Sequence, residues 1–122
     1  DLADVQSIDK RILEKHQTYL KRIENFPLKK ADYYQNLRES TGVKSVRGLS
    51  EITGEDWAYI ARVLKALELP VSIRDYLNNH SEPEIVKHFH LRVLVELARL
   101  RDENTQLAKF REIIGQILVN CN

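Results

Sequence analysis

Ser45-Val-Arg-Gly-Leu-Ser-Glu-Ile-Thr-Gly54-Glu-Asp-Trp-Ala-Tyr-Ile-Ala-Arg-Val-Leu64 is the stretch on which the fold is read. Two short amphipathic segments flank one glycine. Gly54 supplies a sharp turn, where a side chain would obstruct the backbone. Leu49 lies five residues before it, Ile60 six after and Val63 nine after. That spacing locks two short helices together across the turn, as a helix-turn-helix requires. Asp56 stands where the second helix needs an N-cap. Thr53 and Asp56 also have capping-box spacing, which would start that helix slightly earlier. The first helix is expected over 45–53 with Val46, Leu49 and Ile52 inward. The second is expected over 56–69 with Trp57, Ile60, Leu64 and Leu67 inward and Val63 alongside, and Pro70 ends it.

Helical periodicity continues on both sides. Val5, Ile8, Ile12, Tyr19 and Ile23 form one stripe of a helix over about 3–25, with Leu13 and Leu20 beside it. A second helix spans about 29–40, with Ala31, Tyr34 and Leu37 on one side, and Gly42 closes it. A short helix over 71–78 offers Ile73 and Leu77, and residues 78–81 read as a turn. Pro83 suits the first turn of a helix expected to run unbroken to Leu100. Its stripe is Val86, Phe89, Val93, Leu97 and Leu100, widened by Leu91, Leu94, Val95 and Ala98, so it is expected at the centre. A last helix over 104–119 carries Leu107, Phe110, Ile114, Ile117 and Leu118. The expected fold class is all-α, a compact multi-helix domain of about six or seven helices with a central helix-turn-helix at 45–69. One domain over 1–122 is expected, since this length suits one core.

Composition narrows the function. Hydrophobic residues make up 43% and charged residues 30%, a globular balance rather than that of a disordered tail. No apolar run approaches the ~18 residues of a membrane span, and no secretory signal pattern occurs. The chain begins at Asp1 and has no Met, so it is read as a piece of a longer protein. The single Cys121 forms no internal disulfide, which fits a cytoplasmic origin, and it reads as inert. Formal net charge is only +1. Residues 10–30, however, hold seven basic side chains (Lys10, Arg11, Lys15, Lys21, Arg22, Lys29, Lys30) against Glu14 and Glu24, a surplus of five. Such a face is either an ordinary solvated helix surface or a seat for phosphates.

Gly54-Glu-Asp-Trp-Ala-Tyr-Ile-Ala-Arg-Val-Leu-Lys-Ala-Leu-Glu-Leu-Pro70 resembles the helix-turn-helix of the ParB/KorB partition and repressor proteins. In that family a leucine-rich run closed by Leu-Pro ends the second helix, as Leu64, Leu67, Leu69 and Pro70 do here. Ile73-Arg-Asp-Tyr-Leu77 resembles the short helix that follows, and His90-Leu-Arg-Val-Leu-Val-Glu-Leu97 the later packing segment. The resemblance covers about residues 45–100. It implies double-stranded DNA binding in partition or transcriptional regulation, of a bacterial type. The recognition helix would present Asp56, Trp57, Ala58, Ala61, Arg62 and Lys65 to the major groove. Arg62 would donate two hydrogen bonds to a guanine edge, and Tyr59 would add a phosphate contact. Lys44, Ser45 and Arg47 would hold phosphates at the start of the first helix. Trp57 also has a second reading as core, the commoner fate of a large aromatic.

The sequence departs from that family at two places. Ser50 stands where alanine is usual, and Glu55 with Asp56 puts negative charge at the start of the recognition helix, which suits the helix dipole but repels phosphate. Residues 44–75 carry five basic and five acidic side chains, a balance of zero. The family's arginine-rich nucleotide-binding motif does not occur, and no cofactor is expected.

Other chemistry is weaker. His88 and Glu84 share a helix face, but two ligands fall short of the three or four a metal site needs, so none is expected. His16 and His80 have no evident partner. No phosphate loop or nucleophile constellation occurs, and an enzyme is not expected. The alternative function is a protein-interaction module that uses the helix-turn-helix shape as a docking surface. It would show an exposed apolar patch, whereas a DNA binder would gather the basic residues of 10–30 near Arg47, Arg62 and Lys65. A homodimer through the first and last helices would match a palindromic site.

Overall fold

The computed structural model describes the backbone of residues 2–120 and the side chains of residues 9–120. Val5 and Ile8 of the first stripe, and Cys121, lie outside the described side chains. Among the described residues the chain is all-α, with no strand. The helices are α1 (Leu2–Glu24), α2 (Pro27–Thr41), α3 (Val46–Thr53), α4 (Trp57–Lys65), α5 (Val71–Asn79), α6 (Pro83–His88), α7 (Leu91–Ala98) and α8 (Glu103–Asn120). A 3-10 turn at Ala66–Glu68 extends α4. The seven expected helices all form, and the sixth is divided in two. Among the described residues no helix is long and apolar enough to cross a membrane.

Local chemistry sets the ends. Pro27 opens α2 at its first turn, where a missing N–H costs nothing. Gly42 and Gly54 close α2 and α3 at φ of 74° and 75°, a region open to glycine and strained for other residues. Leu69 is extended before Pro70, which ends the 3-10 turn.

The core has two parts. In the first, Ala31 and Tyr34 of α2, Leu49 of α3, and Ile60, Val63 and Leu64 of α4 bury one another, with Val46 half-buried against them. The second joins Phe26, Leu28, Leu69, Ile73, Leu77, Ile85, Val86, Phe89, Leu94, Leu97, Phe110, Ile113 and Ile117. α4 packs against α2, α3 and α7, so it bridges the two parts.

Three packing expectations need correction. The helix over 83–100 breaks at Phe89, where φ −87° and ψ 54° leave the helical region and bury the ring at 0% exposure beside Phe110. His90 then opens α7. The break gives the Ile85–Val86 pair and the Leu94–Leu97 pair independent approaches to one core. Second, Ile52 points to solvent, 48% exposed, while Leu49 and the half-buried Val46 supply the α3 side of this core. Third, α1 is half outside the body. Tyr19 and Ile23 pack on the core, but Ile12, Leu13 and Leu20 are exposed. α1 rests mainly on α6, and the Tyr19 hydroxyl donates to the Ser81 carbonyl at 2.5 Å. His80 has partners after all: its Nδ1 lies 2.8 Å from the Tyr76 carbonyl, and its ring stacks on Tyr76 at 3.9 Å.

Candidate nucleic-acid interface

The turn between α3 and α4 is fixed by hydrogen bonds that the sequence encodes one residue at a time. The Ser50 hydroxyl donates to the Glu55 carbonyl at 2.6 Å. The Thr53 hydroxyl donates to the Leu49 carbonyl and accepts from the Glu55 N–H at 3.2 Å. The Asp56 carboxylate accepts from the Tyr59 N–H at 3.2 Å, so Asp56 is the N-cap of α4. The capping box from Thr53 does not form, since Thr53 is bound to the turn instead. Ser50, where alanine was the usual residue, therefore has a structural task.

Glu55 is not a free negative charge facing a ligand. Its carboxylate accepts a short hydrogen bond from the Tyr34 hydroxyl and an ion pair at 2.9 Å from Lys30 Nζ. Burial pushes the Glu55 carboxyl up, but the Tyr34 and Lys30 donors and the lysine's charge outweigh it and hold the group below its ordinary range. Lys30 is raised, first by its bond to Glu55. Tyr34 is strongly raised by burial and then by the neighbouring carboxylate. α2 thus clamps the turn that aims α4. Sequence reading missed Lys30 and Tyr34 in this role. They stand at i and i+4 on one helix, and nothing in the order of residues connects them to a glutamate more than twenty positions on.

The expected site residues separate into groups. Trp57, Ala61 and Arg62 are exposed and Ala58 is half-buried on α4, whose buried residues are Ile60, Val63 and Leu64; Trp57, seven residues before Leu64, stands at the edge of the buried side rather than opposite it. Trp57 is 54% exposed, so its core reading is overturned. Tyr59 is half-buried against the α2–α3–α4 core and belongs to the support. Lys65 shares a helix side with Ala58, Ala61 and Arg62 by spacing, but its ammonium is paired with Glu68 at 2.8 Å in a cleft shared with Asp32, Arg38 and Arg74. Lys44, Ser45 and Arg47 are exposed at the start of α3. Ser45 caps α3 by accepting from the Gly48 N–H at 3.0 Å. Lys44, Arg47 and Arg62 make no ion pair among the described residues, whereas Glu55 and Glu68 do. Lys65 and Glu68 cancel within 44–75, and Lys30 from outside neutralises Glu55, which leaves Lys44, Arg47, Arg62 and Arg74 against Glu51, Asp56 and Asp75, a surplus of one positive charge.

The basic stretch 10–30 is not gathered at this face. Lys30 reaches the turn and is held by Glu55. Arg11, Lys15 and Arg22 line a cleft with Pro83 and Lys87 at α1 and α6. No group of three or more His, Cys, Asp or Glu with metal-binding geometry occurs among the described residues.

The class defined by fold and site is an all-α domain that presents a short, rigidly held helix with an open outer face. No family model, curated protein or solved structure matches the chain.

Proposed function

We propose that the chain binds double-stranded DNA through α4 and reads its sequence, in partition or transcription control. One observation carries the reading: the outer face of α4 combines small side chains, Ala58 and Ala61, with an exposed Trp57 and an Arg62 that has no acidic partner among the described residues. Small residues let a helix approach the floor of a major groove, and a free guanidinium suits base edges or phosphates. The α2 clamp on Glu55 supports the same reading, because Lys30 neutralises one of the two carboxylates at the start of α4, while Asp56 stays exposed as the N-cap. Lys44 and Arg47 extend the positive rim, and two copies would read two half-sites of a palindrome.

A second reading has its own support. Ile52 and Trp57, both exposed, flank the Gly54 turn and offer apolar surface to a protein partner. Trp57 is the chain's single tryptophan, so its fluorescence reports on this face directly. Titration with a random-sequence duplex should change Trp57 emission saturably, and added salt should reverse the change. Emission unaltered at low salt would refute the DNA reading and leave protein docking.

A further inference from the structure

A second basic element lies next to the proposed reading face. A cleft of about 320 Å³ between α4 and α7 is lined by Arg62, Leu91, Arg92, Val95, Glu96 and Arg99. Arg62 comes from α4, Arg92 from the first turn of α7, and Arg99 from the residue that ends it. Arg92 and Arg99 are seven apart, two helical turns, which places both on one line of α7. The floor is apolar: Val95 is 5% exposed and Leu91 half-buried. All three arginines are exposed. The cleft holds one acid, Glu96, so its formal charge is +2, three guanidiniums less one carboxylate.

Glu96 does not neutralise the cleft firmly. Its Oε1 lies 3.1 Å from Arg92 Nε, with the two side chains 63% and 82% exposed. An exposed i,i+4 pair of this kind is weak and exchanges readily for a stronger anion. Arg99 makes no ion pair among the described residues. Arginine forks match phosphate oxygens two at a time, and an apolar floor keeps competing water away from one side.

We propose that Arg62, Arg92 and Arg99 together hold a phosphate group of the DNA backbone beside the groove that α4 enters. The inference rests on the DNA reading above and deepens it. It gives α7 a ligand-binding role that the sequence reading did not. It also moves Arg62 from the guanine edge to the backbone, because Arg62 lies on the α7 side of the α4 face. Base reading then falls to the Trp57, Ala58 and Ala61 surface.

The test compares the full chain with Arg92→Gln, Arg99→Gln and the double variant on random-sequence duplexes across a salt series. A Lys109→Gln variant on α8 is the control. The double variant should bind about tenfold more weakly, equally for every duplex sequence, since hydrogen bonds to charged groups are at stake. The slope of log Kd against log salt should fall by about one unit, the share of one phosphate contact. Melting temperatures should not change, because these side chains pack on little. A wild type that binds duplex while the double variant matches it in affinity and slope overturns the phosphate cleft and leaves the DNA reading intact. A loss confined to particular sequences also overturns it, in favour of base contacts. A wild type that binds no duplex overturns both.

Discussion

Replacing Tyr34 with phenylalanine isolates the clamp on the α3–α4 turn. The ring is fully buried, so Phe keeps the packing among Ala31, Leu49, Ile60 and Val63 and removes only the hydroxyl. The lost bond is to a carboxylate, for which about 1.5–3 kcal/mol is typical. Glu55 keeps Lys30 and its side chain is 30% exposed, so water replaces part of the loss. A cost of about 1–2 kcal/mol follows, or a fall in Tm of roughly 4–10 °C for a domain of this size. Thermal melts of Tyr34→Phe, Glu55→Ala and the double variant form a closed cycle. The cost of Tyr34→Phe should shrink by about 1 kcal/mol once Glu55 is gone. Equal costs in both backgrounds would refute the clamp.

Three further outcomes follow from the same structure. Glu55 is depressed, so its stabilisation is present above its ordinary value of 4.5 and is lost as pH falls through the lower folded value. Lys30 is raised, so its share holds below its ordinary 10.5 and is lost as pH rises through the higher folded value. Urea unfolding against pH should therefore show a steeper acid limb for wild type than for Glu55→Gln. Gly54→Ala should cost about 1–2 kcal/mol in the same unfolding experiment, because a Cβ is strained at φ 75° even though the space above it is open. Ala61→Glu should change the unfolding free energy by no more than the ~0.5 kcal/mol of a surface change, while duplex binding by anisotropy is abolished. Binding that survives Ala61→Glu would show that α4 does not face DNA.

Helix positions were legible because the caps and stops are local. Asp56, Gly42, Gly54 and Pro70 each act within a few residues of themselves, and so do Pro27 and Ser45, which the structure places at the start of α2 and as the cap of α3. The inner face of α4 was legible in Ile60, Val63 and Leu64, because a buried face repeats every three or four residues; on α8 Phe110 and Ile117 were, but Leu118 is 56% exposed and Gln106 and Ile113 are buried instead. The break at Phe89 was not, since no glycine or proline marks it and the apolar pattern runs through it in phase. Ile52 and Trp57 misled for the opposite reason. Their spacing is that of a core stripe, but the α2–α3–α4 core is filled by Leu49, Ile60, Val63 and Leu64 with Val46 beside them, and Ile52 and Trp57 fall at its edge. The clamp of Lys30 and Tyr34 on Glu55 joins helices distant in sequence, and so does the arginine cleft between α4 and α7. Such contacts exist only once the packing is known.

Whether α4 reads DNA is decided by selecting bound duplexes from a random pool at several salt concentrations, with Trp57 and Ala61 variants alongside wild type. Wild type should enrich one sequence with an affinity that falls steeply with salt, and Ala61→Glu should lose that enrichment. A pool left unenriched, or no retention of duplex at low salt, would contradict the DNA reading.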